Sequence, residues 1–294
     1  MQTTIVIVTF KSKIIHKCIQ KLCKSFKIII VENSNDKIFK KNIELKYKNT
    51  KCILSGSNLG YARANNIGLK KVKTKFALLI NPDLIISINQ IKKIENYAKR
   101  NKKFSILAPN SNGLSNTLNN NFDKYAKKKI NFESLNKILK RKKIYETDFV
   151  PGWCMYLNVR DIKKINYFDK NFFLYFEDTD LCKRLKNIDK KLFILGGIKV
   201  RHLFGTSVDY EDKSKVFLMR DWHIYWSSFY YHRKHYGFLR SFRVHFSKLL
   251  RFFVMKNIYF FVNNKHLHDL YKVRLSGLVN QIFNKKAFSG LILK

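Results

Sequence analysis

The chain has 294 residues, of which 46% are hydrophobic, so it can bury a sizeable core and global disorder is excluded. It carries 59 Lys and Arg against 20 Asp and Glu. The resulting net charge of +39 is typical of proteins that bind nucleic acids or anionic membranes. The positive charge is spread along the whole chain, and Lys far outnumbers Arg, whereas specific phosphate recognition favours Arg. Charge alone therefore identifies no partner.

The five cysteines stand at scattered positions without a CxxC spacing. This pattern gives neither a disulfide framework nor a zinc site and favours free thiols in a reducing compartment. The N-terminal residues enter a strand pattern at once, so we expect no cleavable signal peptide. No run of about 18 uncharged apolar residues occurs, so the sequence predicts no transmembrane helix.

Strand and helix patterns alternate through the first hundred residues. The strands are short apolar runs, and the segments 13–24 and 87–100 between them have the apolar period of amphipathic helices. This alternation predicts an α/β fold with a mostly parallel sheet, in which ligands bind beyond the carboxyl ends of the strands. The predicted strands are 3–9, 27–31, 51–54, 76–80, 105–108 and 191–195.

Polar residues follow the first two strands, at the edge where ligands of such sheets bind. Thr9 ends the first strand, and Glu32 and Asn33 follow the second. A Glu at this position can accept hydrogen bonds from a nucleobase imide or a ribose hydroxyl, although the same residues are common in polar turns.

The segment after the third strand starts at Asn58 and contains a glycine and an arginine of interest. A helix begins in this segment near Tyr61. Gly60 allows the backbone to approach a ligand closely. Arg63 stands in the first turn of this helix, where its charge opposes the helix dipole, and pairing with a diphosphate offers a separate reason for it.

Two candidate metal ligands follow later strands. The fourth strand runs directly into Asn81-Pro82-Asp83, and an acid fixed at the end of a buried strand suits a metal or phosphate site. The alternative is an ordinary Asx turn. His202 follows a further strand and is a second candidate ligand, although a single His is more often structural.

The most informative stretch is 172–181, FFLYFEDTDL, where scarce carboxylates directly follow an aromatic run. The aromatic residues carry the segment toward the protein interior, so Glu177 and Asp178 should stand at its edge, where a carboxylate is desolvated and can serve as a general base. The simpler alternative is a helix start, in which Asp178 caps a helix that runs to about residue 187.

Three further segments complete the chain. Trp153, next to a glycine, is either a stacking platform for a sugar face or a packed core aromatic. Residues 110–146 are rich in Asn and Lys, and we interpret them as a variable surface excursion. Residues 214–294 predict cationic, aromatic-rich helices that lie on a membrane surface or pack against protein.

In order, the blocks VTF, VENS, NLGYARANNIG, LLINPD, PGWCM, FDKNFFLYFEDTDLCKRL and VRH resemble those of family 2 glycosyltransferases, most of all the bacterial rhamnosyltransferase-like members. The resemblance covers about residues 3–205. It implies a GT-A fold, a Rossmann-like sheet flanked by helices, as a first domain at 1–205. A basic, aromatic helical region would follow at 206–294.

The resemblance also implies roles for individual residues. Asp178 would be the catalytic base with Glu177 beside it, Asp83 and His202 would hold Mg²⁺ or Mn²⁺, and Trp153 would contact the acceptor. The family more often has Asp where Glu32 stands, and of its metal-binding acidic motif only the last position, Asp83, is acidic here. The nucleotide-sugar site would comprise Thr9, Glu32, Asn33, Asn58, Gly60, Arg63, Asn81 and Asp83.

The function so implied is inverting transfer of a sugar, with rhamnose favoured, from a dTDP- or UDP-linked donor to a hydroxyl of a cell-surface polysaccharide or lipid-linked glycan. The enzyme would be cytoplasmic and peripheral on the inner face of the plasma membrane, with no nucleic-acid partner. The alternatives are a catalytically silent glycosyltransferase-like scaffold and a basic polyanion- or nucleic-acid-binding protein. A nucleotidyltransferase would need more acids around a metal than Asp83 supplies.

Overall fold

The computed structural model describes residues 2–101, 103–111, 144–203 and 213–287. Among these residues, internal contacts define two compact units: the first contains 2–101, 103–111, 144–169 and 178–203, and the second contains 170–177 and 213–287. The domain boundary near 205 stays a prediction. Most of the predicted surface excursion at 110–146 lies outside the described residues.

The first unit is built from strands and helices in alternation. In chain order the elements are β1 (Thr3–Thr9), α1 (Ile15–Leu22), β2 (Lys27–Glu32), α2 (Lys37–Lys46), β3 (Thr50–Leu54), α3 (Gly60–Lys70), β4 (Phe76–Ile80), β5 (Leu84–Ile85), α4 (Ile88–Arg100), β6 (Ile106–Ser111), β7 (Tyr145–Thr147), β8 (Cys154–Asn158), α5 (Val159–Lys164), α6 (Glu177–Lys186) and β9 (Leu192–His202). By its contacts Glu177, the first residue of α6, belongs to the second unit.

The strands form a mixed sheet with the order β3-β2-β1-β4-β8-β6-β9-β5, and β7 also pairs with β9. Strands β1 to β4 run parallel, whereas β8 lies antiparallel between β4 and β6. Because Ile80 at the end of β4 pairs with Cys154 at the start of β8, residues 152 and 153 reach the edge where the parallel strands end. The antiparallel strand thus supplies a loop to the predicted ligand-binding edge.

Burial in the core explains why apolar and polar residues do not alternate along the central strands. Both β1 and β4 are buried on their two faces, so β4 is the continuous apolar run FALLI and β1 contains the run IVIV between threonines. Helix α4 begins with a capping box, in which Ser87 and Gln90 satisfy each other's backbone N–H groups, and it buries Ile91 and Ile94 against the sheet. These features fix the sheet whose edge carries the site.

The structure confirms the predicted α/β class with flanking helices and corrects several element limits. The strand predicted at 191–195 extends to His202, and the helix predicted at 13–24 spans only Ile15–Leu22. Helix α6 begins at Glu177, so Asp178 lies inside its first turn and does not precede the helix as a cap. The sequence analysis did not predict α2, β5, β7, β8 or α5.

The second unit contains three helices, α7 (Lys213–Tyr236), α8 (Phe238–Phe261) and α9 (Lys265–Ile282), which pack on one another. Gly237 ends α7 with a φ of +84°, a conformation that favours glycine. The predicted C-terminal helical extension is therefore confirmed. Within the described ranges, no helix combines the length and the apolar character that crossing a membrane requires.

Candidate active site

Asp178 stands in the first turn of α6, and backbone N–H groups orient its carboxylate. Oδ2 accepts a hydrogen bond from the Gly152 N–H at 2.8 Å, and Oδ1 accepts one from the Thr179 N–H at 2.7 Å. The side chain is partly exposed, and the surrounding protein desolvates it. Desolvation raises the pKa of Asp178 above its ordinary value, while the hydrogen bonds from Gly152 and Thr179 oppose that shift.

The loop before β8 is tied to the end of β4. The N–H of Asn81 donates to the carbonyl of Trp153 at 3.1 Å. The Tyr61 hydroxyl donates to the carbonyl of Gly152 at 2.6 Å and also lies 3.3 Å from Asn81 Oδ1. Tyr61 on α3 therefore positions the residue whose N–H orients Asp178.

Asp83 and His202 form a buried pair at the same edge. Their side chains are 0% and 6% exposed, and His202 Nε2 lies 3.1 Å from Asp83 Oδ1. The pairing of β5 with β9 places them side by side, because Leu84 is opposite His202 and the Leu203 N–H donates to the Asp83 carbonyl. The Trp153 indole stacks on the His202 ring with centroids 5.2 Å apart.

The pair offers a divalent cation one carboxylate oxygen, the ligand type that Mg²⁺ and Mn²⁺ prefer, and one imidazole nitrogen. Nε2 and Oδ1 lie at hydrogen-bond distance from each other, so both ligand atoms are already brought to one point at this edge. In the described part of the chain, no group of three or more His, Cys, Asp or Glu side chains could hold a metal. An ion held by these two residues would keep several waters, as Mg²⁺ commonly does. The residues therefore fit the predicted cation.

Side chains of two asparagines hold the start of α3. Asn33 Oδ1 accepts from the Leu59 N–H at 3.0 Å, and Asn58 Oδ1 accepts from the Gly60 N–H at 3.1 Å. Asn33 Nδ2 also donates to Asn58 Oδ1, at 3.0 Å. Gly60 has a φ of +76°, a conformation that favours glycine, and its close approach to a ligand stays a prediction. In this structure the two asparagines position the helix N-terminus.

Glu32 and Thr9 lie at adjoining strand ends and differ in their hydrogen bonding. The Glu32 carboxylate accepts from the N–H and hydroxyl of Ser34 and from the Asp36 N–H, at 2.7 to 3.1 Å. Thr9 Oγ1 is buried and has no hydrogen-bond partner in the part of the chain that the structure describes. Thr9 is thus the residue of this pair whose polar group the described residues leave unsatisfied.

Three other predicted site residues occupy different environments. Arg63 is exposed in the first turn of α3, and Glu177 is buried. Trp153 is 8% exposed and packs into the core of the sheet, so its contact with His202 accounts for its position, and its contact with an acceptor stays a prediction.

The sequence analysis missed two supports of the site. Tyr61 was quoted in a motif but given no role. Asp180, which is 0% exposed, pairs with Arg184 at 2.7 Å, and the same guanidinium donates to the carbonyls of Ile165 and Tyr167 at 2.6 Å. The spacing of Asp180 and Arg184, four residues apart on a helix, was a signal available in the sequence.

The sequence profile of Glycosyl transferase family 2 matches residues 4–165, which is more than half of the chain. The chain belongs to this family. The matched region contains every predicted nucleotide-sugar residue and Gly152, whereas Asp178 and His202 follow it. The predicted family is therefore confirmed.

Two curated relatives match over part of their length. The chain is 28% identical to rhamnosyltransferase WbbL of Escherichia coli K12 over 173 residues, which are 53% of this chain and 65% of the relative. It is 23% identical to the low-salt glycan biosynthesis hexosyltransferase Agl10 of Haloferax volcanii over 195 residues, 62% of this chain and 61% of the relative. The chain thus spans less than two thirds of either protein.

Solved structures share the fold at low sequence identity. The mannosyltransferase PcManGT from Pyrobaculum calidifontis, in complex with GDP-Man and Mn²⁺, superposes with a TM-score of 0.58 at 8% identity, covering 97% of this chain and 88% of that one. S. aureus TarS 1-349 gives 0.53 at 12% identity, covering 96% and 90%. These matches confirm the predicted GT-A fold.

Proposed function

We propose that this protein is an inverting glycosyltransferase that moves a sugar from a nucleotide-diphosphate donor to an acceptor hydroxyl. The observation that carries the proposal is Asp178, a desolvated carboxylate with a raised pKa that backbone N–H groups aim at the edge where the parallel strands end. Membership of Glycosyl transferase family 2 supports it.

The reaction balances as a single displacement. Asp178 takes the proton of the acceptor hydroxyl, the acceptor oxygen bonds to the anomeric carbon, and the bond from that carbon to the diphosphate oxygen breaks on the opposite face. The nucleoside diphosphate leaves with the electron pair. Tyr61 and Gly152 hold Asp178 in position, so the effective concentration of the base is high.

We assign the diphosphate end of the donor to Asp83 and His202. A divalent cation, Mg²⁺ or Mn²⁺, held by this pair would stabilise the negative charge of the leaving diphosphate. The presence of Mn²⁺ in the structure of PcManGT supports a divalent cation. Thr9, with its unsatisfied buried hydroxyl, and Glu32 and Asn33 would contact the nucleoside, and Arg63 the diphosphate.

The finer identity of the substrates follows the relatives. The identity of 28% to a rhamnosyltransferase supports rhamnose as the donor sugar. We assign dTDP or UDP as its carrier. We assign the acceptor to a cell-surface polysaccharide or lipid-linked glycan and the protein to the inner face of the plasma membrane.

The first experiment measures transfer and donor binding separately. Purified protein is assayed with dTDP-rhamnose and with UDP- and GDP-linked sugars, in the presence of Mn²⁺ and a lipid-linked acceptor. Asp178→Asn should lower the transfer rate by about 10²- to 10⁴-fold, the usual contribution of a general base, and leave donor binding intact. Full activity in this variant would refute the role of Asp178. Asp189→Asn, an exposed residue after α6, is the control.

Asp83→Asn tests the cation pair. A nucleotide at 100 times its Kd should raise the free energy of unfolding by about 2.7 kcal/mol. We expect Mn²⁺-dependent stabilisation by dTDP or UDP in the wild type, its loss in Asp83→Asn, and its retention in Asp178→Asn. Stabilisation that is equal in all three proteins would overturn the assignment of Asp83.

A further inference from the structure

Helix α8 has a buried side and, opposite it, an exposed side that is largely apolar. Its inner side buries Ser241, His245 and Phe252, and it packs against α7 and α9. Its outer side exposes large apolar residues at intervals of three, four or seven, which places them on one face of the helix. These residues are Leu239, Phe246, Leu250, Phe253, Val254 and Ile258.

The outer face of α8, defined by those six residues, continues to the end of the helix. Phe261 is 83% exposed, and Val262 in the following turn is 63% exposed. A helix of this length spans about 36 Å. An apolar strip as long as a small domain is rarely left in contact with water, so a covering partner is required.

Basic residues accompany this face. Arg240, Arg243 and Arg251 are exposed on α8, within or beside the apolar strip. The sequence from 222 to 294 contains thirteen Lys and Arg and a single acid, Asp269. The partner must therefore offer apolar depth and negative charge together.

We propose that the outer face of α8 lies in the interface of an anionic lipid membrane. Aromatic and aliphatic side chains would enter the boundary between headgroups and acyl chains, and the arginines would contact lipid phosphates. A second copy of this chain is a poorer occupant, because dimerisation through the same face would bring the arginines of both copies together. The inference rests on the second unit alone and does not require the proposed transferase activity.

Vesicle co-sedimentation tests the proposal with the full chain and no sugar donor. We expect binding to vesicles that mix phosphatidylcholine with phosphatidylglycerol to be at least tenfold tighter than binding to phosphatidylcholine alone, and to weaken as salt rises. Equal binding to both vesicles, or binding to neither, would overturn the proposal.

A pair of substitutions tests the face itself. Leu250→Gln with Phe253→Gln should weaken binding to anionic vesicles at least tenfold, because both side chains are more than half exposed and available to the lipid. The matched control is Ile38→Gln with Leu45→Gln on α2, where both apolar side chains are 74% exposed. Equal binding by the two variants would contradict the proposal. Thermal unfolding of each variant verifies that it is folded.

Charge and self-association are tested next. Arg243→Gln and Arg251→Gln should each weaken binding to anionic vesicles about fivefold at low salt. Sedimentation velocity then tests whether a second copy of this chain covers the outer face of α8. A dimer that dissociates in Leu250→Gln/Phe253→Gln, without any vesicle binding by the wild type, would assign the face to a second copy and overturn the membrane proposal.

Discussion

At the scale of single residues, the environment of Asp178 disfavours the ionised form of its carboxyl group. The surrounding protein desolvates the carboxylate, whereas the N–H groups of Gly152, Thr179 and Asp178 itself and the Thr179 hydroxyl stabilise its ionised form. A raised pKa brings a carboxylate closer to the working pH of a general base. The same raised pKa makes the ionised residue a cost to stability near neutral pH.

This cost predicts a pH dependence of the free energy of unfolding. Because the folded protein binds the Asp178 proton more tightly than the unfolded chain does, stability falls as pH rises from about 4, the ordinary pKa of Asp, through the raised folded pKa. Asp178→Asn lacks this titration. We therefore expect the Tm of the variant minus the Tm of the wild type to increase as pH rises from 4 to 8.

Thermal unfolding at half-unit pH steps measures this difference. The hydrogen bonds that Asn cannot accept should shift the curve of Tm against pH by a constant amount. The test is therefore whether the difference between the two Tm values changes with pH. Asp189→Asn should follow the wild type at every pH. Parallel curves for wild type and Asp178→Asn would mean that the Asp178 pKa is not raised.

At the scale of elements, the Asp180–Arg184 pair anchors α6. Asp180 is 0% exposed and Arg184 19%, and the guanidinium also donates to the carbonyls of Ile165 and Tyr167 that follow α5. One side chain thus joins the helix that carries Asp178 to the preceding turn. Removing it would leave a buried carboxylate without its cation.

Arg184→Met keeps much of the aliphatic stem and removes the charge, so we expect it to lower the free energy of unfolding by about 3–5 kcal/mol. Lys186→Met on the same helix is the control. Its salt bridge to Asp148 has side chains 33% and 61% exposed, so its loss should cost less than about 1 kcal/mol. Urea unfolding measures both variants. Equal midpoints would show that the Asp180–Arg184 pair contributes no more than a surface ion pair.

The sequence predicted the elements that repeat a simple pattern and missed those that depend on distant partners. The apolar runs of β1 and β4 and the period of α4 are local signals, and each matched closely. The antiparallel direction of β8 is set by its neighbours β4 and β6, and nothing in the letters CMYLN encodes it. The contact of Tyr61 with Gly152, 91 residues away, is equally invisible locally.

Prediction of the site likewise succeeded where the signal was local and failed where it depended on contacts with distant residues. Asp83 and His202 were singled out because each follows a strand, and the structure places them 3.1 Å apart through the pairing of β5 with β9. For Asn33 and Asn58 the sequence predicted polar groups at the right edge. It could not show that their amides bond to each other and to the start of α3.

At the scale of the whole molecule, the two units carry separable tasks in our proposals. Donor binding belongs to residues of the first unit, and membrane binding belongs to α8 in the second. A substitution that loosens only the second unit should therefore separate the two activities. Gly277 on α9 offers such a position, because an added Cβ would lie 2.5 Å from the backbone carbonyl oxygen of Trp222 and 3.3 Å from the backbone nitrogen of Trp226.

Gly277→Ala should destabilise the second unit, since neither backbone atom can rotate away and overpacking costs about 1–3 kcal/mol. Gly197→Ala is the control, because a Cβ there meets nothing within 4 Å. We expect Gly277→Ala to weaken binding to anionic vesicles and to keep the stabilisation by nucleotide and Mn²⁺, while Gly197→Ala keeps both. Equal loss of the two activities in Gly277→Ala would show that donor binding requires an intact second unit, and the separation proposed here would be wrong.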